Sequence, residues 1–197
     1  MRKGGLMHAP LPQASRWVRR FAPLVPPGEV LDLACGSGRH ARLFARLGHP
    51  VLAADRDPLA LQAAAGPGIA TLQVDLEEEG AAWPFEAGRF AGIVVTNYLH
   101  RPLMRDLLRS LAPGGVLIYE TFALGNEAFG KPSNPAFLLR PGELLELAAG
   151  AGLRVLAFED GVIEEPKPAR VQRLCASEAG FPQTEARLDH LSAVNEP

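Results

Sequence analysis

Hydrophobic and polar positions along the chain follow two alternating spacings. Short runs of β-branched and aliphatic residues, such as 93–95, are separated by longer segments in which leucines recur at helical spacing, such as 103–111. Glycine and proline mark most of the boundaries between the two. This alternation predicts repeated β-α-β units, and therefore an α/β fold with a Rossmann-like, doubly wound, mostly parallel sheet.

The boundaries also place the predicted elements. Helices are expected to begin at Arg39, Pro58, Pro102 and Pro141. The segment 77–88 has three consecutive acids and no apolar period, so it predicts a loop where a helix would otherwise stand. Parallel strands are expected at 29–34, 51–54, 70–74, 90–96 and 116–121, and a C-terminal antiparallel hairpin at 153–159 and 171–176.

A single domain is expected for a chain of 197 residues, since this length suffices to bury one core. Trp17, Val18 and Phe21 fall at helical spacing beside arginines, which predicts an amphipathic helix that covers the sheet. The predicted division is 1–28 for this helical cover, 29–178 for the sheet domain and 179–197 for an irregular tail.

Composition and charge narrow the classes of function. The formal net charge of -2 offers no basic excess for a phosphate backbone, which disfavours nucleic acid as a partner. Two cysteines cannot form a disulfide framework, and no Cys/His spacing indicates a metal site. No uncharged apolar run is long enough for a bilayer, and residues 1–10 lack the apolar stretch of a secretory signal. We therefore expect a soluble cytoplasmic protein without a membrane partner; the patterns leave its oligomeric state open.

Polar residues follow the ends of the predicted parallel strands. Because these ends meet at one edge of the sheet, a ligand is expected there. Gly36 and Gly38 permit positive φ and let main-chain N–H groups approach an anionic group beside a helix N-terminus. Asp55 lies 17 residues after Gly38, close to the spacing of roughly 20 at which an acid reaches ribose hydroxyls. The strand-end residues are Asp32, Asp55, Asp75, Asn97 and Glu120.

Two of these acids have a structural alternative. Asp55 could cap the following helix, but Asp57 stands directly before Pro58 and already suits that role. Asp75 is suited to accept a hydrogen bond from an exocyclic amine such as that of adenine. The alternative for Asp75 is that it caps a loop.

The sequence V-L-D-L-A-C-G-S-G at 30–38, with Asp55, V-D-L at 74–76, Asn97 and L-A-P-G-G-V-L at 111–117, resembles the motif series of class I S-adenosylmethionine-dependent methyltransferases. The resemblance covers about residues 30–121 and implies S-adenosylmethionine as cofactor. It implies that the glycine loop and the first acid hold the methionine end, the second acid the ribose and the third the adenine. The cofactor residues it implies are Asp32, Gly36, Ser37, Gly38, Asp55, Arg56, Asp75, Leu76 and Asn97.

Two positions depart from the family pattern. Ala34 stands where the family often has glycine, and Ala91 stands where an acid is common at the start of the fourth strand. The compact chain and the Gly-Arg-His sequence at 38–40 are most similar to the small tellurite-resistance and thiopurine-type members. That similarity implies a small-molecule acceptor.

The reaction implied is an in-line displacement at a sulfonium methyl group, in which alignment supplies most of the catalysis and no metal is required. An oxygen or nitrogen acceptor can need a base, and His100 at the mouth of the fourth strand is the candidate. The alternative is that His100 caps the helix near Pro102. The polar segment 122–140 is longer than an ordinary connection and is a candidate lid over the acceptor. The predicted acceptor-site residues are Tyr98, Arg101, Glu120 and Asn126, although Tyr98 equally suits the core.

Two other functions compete with this interpretation. Gly36-x-Gly38-x-x-Ala41 followed by Asp55 partly fits the dinucleotide pattern of a nicotinamide dehydrogenase. Asp32 interrupts the expected apolar strand, however, and Asp75 has no role in that scheme. A module that binds the cofactor without turnover also fits, since a fold and a binding site do not prove activity.

Overall fold

The computed structural model describes residues 13–182, 184 and 186. Its α-helices are α1 (Arg16–Phe21), α2 (Arg39–Arg46), α3 (Pro58–Ala64), α4 (Met104–Arg109) and α5 (Glu143–Gly150). Its strands are β1 (Val30–Leu33), β2 (Val51–Asp55), β3 (Ile69–Gln73), β4 (Phe90–Thr96), β5 (Leu111–Phe122), β6 (Arg154–Ile163) and β7 (Ala169–Ser177).

The seven strands form one sheet in the order β3-β2-β1-β4-β5-β7-β6. Strands β1 to β5 are parallel, and β7 lies antiparallel between β5 and β6. The predicted Rossmann-like sheet with a C-terminal antiparallel hairpin is therefore confirmed. The strand order reverses between β1 and β4, where Leu33 pairs with Val95, so the carboxyl ends of these two strands form the switch point at which ligands bind in such sheets.

Helices cover both faces of the sheet. On one face Trp17 and Phe21 of α1 are buried with Phe44 of α2, and the indole Nε1–H of Trp17 donates to the Leu174 carbonyl at 3.2 Å. On the other face α4 and α5 bury leucines against β4 and β5. All seven residues of β4 are buried, as expected for a central strand covered on both sides. Within the described ranges, no helix is long and apolar enough to cross a membrane.

The predicted division of the chain is only partly covered by these residues. Helix α1 packs on the sheet within the predicted cover, but residues 1–12 lie outside the described part. Most of the predicted tail at 179–197 also lies outside it. The three-part division stays a prediction.

Strand β5 differs from its predicted boundaries. It begins at Leu111 instead of 116, because Leu111 pairs with Phe90 before an irregularity in the β4–β5 register. The glycines at 114 and 115 therefore lie inside the strand and not in a turn before it. Gly114 has a φ of +73°, which an extended strand residue does not adopt, so glycine here allows the pairing to continue past the irregularity.

The segment 122–140 is fastened at its base. The Leu139 N–H donates to the Phe122 carbonyl and the Leu124 N–H to the Leu139 carbonyl, both at 2.9 Å. Two short 3-10 turns, at 126–128 and 135–137, lie between these contacts. The segment thus returns to its own starting point beside β5.

The turn between β1 and α2 gives a stability prediction. Gly38 has a φ of +76°, and a Cβ there would lie 2.6 Å from the Cβ of Ala64. We expect Gly38→Ala to lower the free energy of unfolding by about 2 to 5 kcal/mol, from left-handed strain plus overpacking. Gly36 (φ +52°) has no atom within 4 Å of such a Cβ, so Gly36→Ala should cost only about 1 to 2 kcal/mol. Urea denaturation measures both, and equal losses would contradict the packing argument.

Candidate functional site

A pocket opens at the carboxyl ends of β1, β2 and β3. Its inner wall is apolar and includes Leu33, Ala54 and Val74. Asp55, Asp75 and Tyr98 are among the polar residues that line it. A mostly apolar wall with a few convergent polar groups is typical of small-molecule sites.

The Asp55 carboxylate connects the pocket to the glycine loop. Its Oδ2 accepts the Gly36 N–H at 2.8 Å, and its Oδ1 accepts the Asp57 N–H at 3.0 Å. Each carboxylate oxygen has two lone pairs, so both oxygens keep capacity for a ligand hydroxyl. Asp57 instead caps α3, since its Oδ1 accepts the Leu59 N–H at 2.9 Å. The structure thus assigns the helix cap to Asp57 and leaves Asp55 at the pocket.

The rest of the glycine loop is held through its main-chain groups. Gly36 and Gly38 are both left-handed, and Gly38 is the residue before α2. The Ser37 carbonyl accepts a hydrogen bond from Nη1 of Arg42 at 2.6 Å. The loop conformation is therefore set by the protein's own contacts.

Asp32 is buried below the loop. Only 1% of the residue is exposed, and its Oδ2 accepts the Ala41 N–H at 2.8 Å. Burial raises the pKa of Asp32 to about 7, against the lowering effect of the Ala41 hydrogen bond. A direct contact to the methionine end, which the resemblance implies, is not open for a carboxylate covered in this way. What Asp32 does here is fasten the first turn of α2, and thereby the loop before it.

Asp75 caps a loop and also lies at the pocket. Its Oδ1 accepts the Glu77 N–H at 2.9 Å and so caps the loop after β3. Its Oδ2 lies 3.9 Å from Nη1 of Arg56, and both side chains remain largely exposed at the pocket rim. Leu76, which follows Asp75 in the chain, is buried and contributes to the pocket wall.

Two residues at this edge adopt left-handed backbone without being glycine. Ala34 follows β1 with a φ of +51°, and Asn97 follows β4 with a φ of +56°. Such residues carry strain and are concentrated at functional sites. The geometry also gives a physical reason for a family preference for glycine at the position of Ala34. Asn97 is exposed, and its N–H donates to the Glu120 carbonyl at 2.9 Å.

Tyr98 and His100 lie in the segment that follows β4. Tyr98 is half-buried at the pocket, and burial together with Glu77 raises the pKa of its phenol, which therefore stays protonated. His100 is also half-buried and directly precedes a helical turn at 101–103. Its side chain makes no capping hydrogen bond to that turn. The capping alternative for the His100 side chain is thus not what the structure shows.

Arg101 is occupied by contacts within the protein. Its Nε and Nη2 donate to the Glu143 carboxylate at 2.6 and 2.9 Å. Its Nη1 donates to the Ala136 carbonyl at 2.7 Å, and Nη2 donates also to the Leu138 carbonyl at 2.8 Å. Four donor contacts therefore join the end of β4 to α5 and to segment 122–140, which leaves little of this guanidinium for an acceptor.

Glu120 and Asn126 are also buried in structural contacts. Oε2 of Glu120 lies 2.7 Å from Nε of Arg173, but the N–H is not aligned with the oxygen, so this is a charge contact and not a regular hydrogen bond. Burial raises the pKa of Glu120, and the charge of Arg173 opposes that shift. Asn126 is 1% exposed; its amide donates to the Pro132 carbonyl at 2.9 Å and its Oδ1 accepts the Arg170 N–H at 3.1 Å. The predicted acceptor contacts of both side chains are replaced by these partners.

A protein-family model described as a methyltransferase domain matches residues 8–181. The chain belongs to this methyltransferase family. S-adenosylmethionine is its cofactor, and the match favours this function over the nicotinamide dehydrogenase.

Three known proteins show how far the similarity extends. A protein-L-isoaspartate O-methyltransferase from Chlorobaculum tepidum is 37% identical over 107 residues, which are 52% of this chain and 49% of the relative. The chain therefore spans about half the length of that curated relative. TehB from Haemophilus influenzae is 18% identical with a TM-score of 0.64, over 80% of this chain and 59% of TehB.

The third is a 1,6-didemethyltoxoflavin-N1-methyltransferase from Burkholderia thailandensis, solved with 1,6-didemethyltoxoflavin and S-adenosylhomocysteine. It is 20% identical with a TM-score of 0.58, over 83% of this chain and 76% of that one. At these identities the two solved structures show a shared fold.

The methyltransferase pocket suits the cofactor chemically. S-adenosylmethionine carries ribose hydroxyls, an adenine amine and a charged methionine end, all of which need hydrogen-bond partners. The carboxylates of Asp55 and Asp75 are within the pocket and can still accept hydrogen bonds. The apolar wall beside them suits the adenine ring. No group of three metal-binding side chains is present in the part of the chain that the structure describes.

Sequence reasoning missed several polar residues that pack around the predicted site residues. Glu143, which holds Arg101, lies 42 positions away along the chain, and no local pattern links the two. His40 and Thr96 form a buried polar cluster with Asp32. The one local signal for His40 was a polar residue in the first turn of a helix whose inner face is otherwise apolar.

The buried carboxyl of Asp32 predicts a pH dependence of stability. Its pKa rises from an ordinary 3.8 to about 7 on folding, so the folded state holds this proton more tightly. The wild-type protein should lose about 2.5 kcal/mol of unfolding free energy through this group between about pH 5 and about pH 8. Asp32→Asn cannot ionise and should show a flatter profile. Denaturation of both proteins without cofactor tests this, and parallel profiles would show that Asp32 does not contribute.

The Arg101 contacts predict the behaviour of segment 122–140. Arg101→Lys keeps the charge but loses the paired donors, so amide hydrogen exchange at 135–139 should increase. Affinity for S-adenosylhomocysteine should remain within about twofold, since Asp55 and the glycine loop are on other strands. Arg140→Lys is the control. The Arg140 side chain lies 3.5 Å from Glu143 but, unlike that of Arg101, does not bond the carbonyls of Ala136 and Leu138. Unchanged amide hydrogen exchange at 135–139 in Arg101→Lys would show that Arg101 does not hold the segment in place.

Proposed function

We propose that this methyltransferase transfers a methyl group from S-adenosylmethionine, in line, to a small-molecule acceptor at the carboxyl end of β4. The observation that carries this proposal is the position of Asp55, whose carboxylate holds Gly36 and faces the pocket at the end of β2. This arrangement lets one side chain order the glycine loop and meet the ribose.

The pocket supports the following division of the cofactor contacts. Asp55 accepts hydrogen bonds from the ribose hydroxyls, and Asp75 with the Leu76 main chain meets the adenine. Arg56 covers the rim beside Asp75. The glycine loop, supported from below by Asp32, faces the methionine end. Asn97 lies at the adjacent strand end and faces the transferred methyl.

The acceptor side is formed by residues that remain available. Bound S-adenosylmethionine supplies an activated methyl group on a sulfonium centre. Asn97 is exposed at the end of β4, and Tyr98 and His100 follow it. The ring of His100 takes up a proton where the acceptor is a protonated oxygen or nitrogen. Arg101, Glu120 and Asn126 shape this side through their protein contacts rather than by touching the acceptor.

Two observations support a small molecule as acceptor. The chain carries a net charge of -2 and so lacks the basic excess that nucleic acid requires. The structurally similar Burkholderia enzyme is solved with a small heterocycle beside S-adenosylhomocysteine. A cytoplasmic location, expected from the two cysteines, remains part of this proposal; both are buried and unpaired.

The direct test combines binding with turnover. Native mass spectrometry and calorimetry should detect S-adenosylmethionine and S-adenosylhomocysteine without added metal. A screen of small heterocyclic, phenolic, thiol and carboxylate acceptors should then release S-adenosylhomocysteine, with an isoaspartyl peptide as the macromolecular comparison. Binding without release by any acceptor would favour the cofactor-binding module. Release with the peptide alone would refute the small-molecule acceptor.

The two neighbouring acids after β2 provide a matched pair of variants. Asp55→Ala removes an acceptor for the ribose and for the Gly36 N–H, so S-adenosylhomocysteine affinity should fall by about 1 to 3 kcal/mol. Asp57→Ala removes the α3 cap and should lower stability by about 0.5 to 2 kcal/mol with little change in affinity. Calorimetry and thermal unfolding separate the two effects. Exchanged phenotypes would refute the assignment of the ribose contact to Asp55.

A further inference from the structure

His40 lies in a buried position between the N-terminal helix and the glycine loop. It is the second residue of α2, and only 1% of it is exposed. Its Nε2 accepts the main-chain N–H of Ser15 at 3.2 Å. Ser15 is the N-cap of α1, and its hydroxyl oxygen accepts the Val18 N–H at 3.0 Å. The start of α1 is therefore fastened directly to the His40 ring.

The Ser15 contact determines which ring nitrogen of His40 carries the proton. Burial lowers the pKa of His40 to about 3, so the ring is neutral. Because Nε2 accepts a hydrogen bond, the proton of the neutral ring is on Nδ1. Nδ1 lies 3.4 Å from the Thr96 hydroxyl and 4.0 Å from Oδ1 of Asp32. Nε2 of the ring thus contacts Ser15 at the start of α1. Nδ1 carries the ring hydrogen and lies near Thr96 of β4 and Asp32 of β1.

Asp32 continues this series of contacts toward the loop. Its other oxygen holds the Ala41 N–H in the first turn of α2, directly after Gly38. Nδ1 of His40 lies 4.0 Å from Oδ1 of Asp32, the carboxylate oxygen that Ala41 does not use. The partial positive charge of the Nδ1–H favours the ionised form of Asp32, which is the better acceptor for Ala41.

We propose that His40 is a positioning residue that couples the N-terminal helix α1 to the glycine loop through Asp32. The inference rests on the proposed function, in which the loop faces the methionine end of the cofactor. Cofactor binding that orders the loop also orders the start of α1, and the ring of His40 is the link between them.

Two substitutions each keep one half of the imidazole. In His40→Gln the amide oxygen comes near the place of Nε2, so it retains an acceptor for Ser15 but no donor toward Asp32. In His40→Asn the amide nitrogen comes near the place of Nδ1, so it retains the donor but not the Ser15 contact. His49→Gln is the control, since His49 is half-buried beyond the other end of α2 and contacts the Gly28 carbonyl, away from Asp32 and Ser15.

The experiment measures S-adenosylhomocysteine affinity by calorimetry and hydrogen exchange of α1 with and without that ligand. In wild type, the ligand should increase protection of the α1 amides. His40→Gln should bind the ligand about tenfold more weakly, because the N–H beside the Asp32 carboxylate is lost, while α1 keeps its protection in the free protein. His40→Asn should bind within about threefold of wild type, and α1 should lose both its protection in the free protein and the increase. His49→Gln should match wild type.

Several results would overturn the proposal. If hydrogen exchange of α1 in the wild-type protein does not change when the ligand binds, the coupling is excluded, whatever the variants show. Equal affinity losses in His40→Gln and His40→Asn would show that His40 acts by packing alone. If wild type binds no S-adenosylhomocysteine, the proposed function itself fails, whereas normal wild-type binding with an unaffected His40→Gln refutes only the role of His40.

Discussion

The turn from β1 into α2 depends on two carboxylates that hold its main-chain N–H groups. Three residues of this turn, Ala34, Gly36 and Gly38, have left-handed backbone, and such conformations cost free energy that other contacts must offset. Asp55 accepts the Gly36 N–H on one side, and Asp32 accepts the Ala41 N–H on the other. Both hydrogen bonds offset part of that cost and so stabilise the turn. These two contacts hold the turn beside the pocket at the carboxyl ends of β1 and β2.

The two carboxylates serve the same turn from different environments. Asp55 is partly exposed and keeps lone pairs directed at the pocket, which suits contact with a ligand. Asp32 is covered, so its ionisation is opposed by burial and its contribution is to local geometry. Motif similarity treats both acids as cofactor residues, but burial separates a residue that can touch the ligand from one that supports it from below.

On the acceptor side, too, some polar residues are accessible while others are engaged in contacts within the protein. Polar residues after β4 and β5 are of similar types, yet Arg101 and Asn126 use most of their hydrogen-bonding capacity to fasten segment 122–140. Asn97 and His100 remain accessible. The segment is therefore fastened to the rest of the protein, and Arg101 and Glu143 together hold it beside α5.

The sequence by itself determined the fold class, the parallel strands to within a few residues and the positions of the strand-end acids, because periodicity and glycine placement are local properties. It also distinguished Asp55 from the cap residue Asp57, since capping depends on the next few residues alone. The start of β5, the burial of Asp32 and the contacts of Arg101 were decided only by the tertiary structure. Each depends on partners distant along the chain, Phe90 for β5, α2 for Asp32 and Glu143 for Arg101, and burial and hydrogen-bond satisfaction at such sites are set by packing that no local pattern encodes.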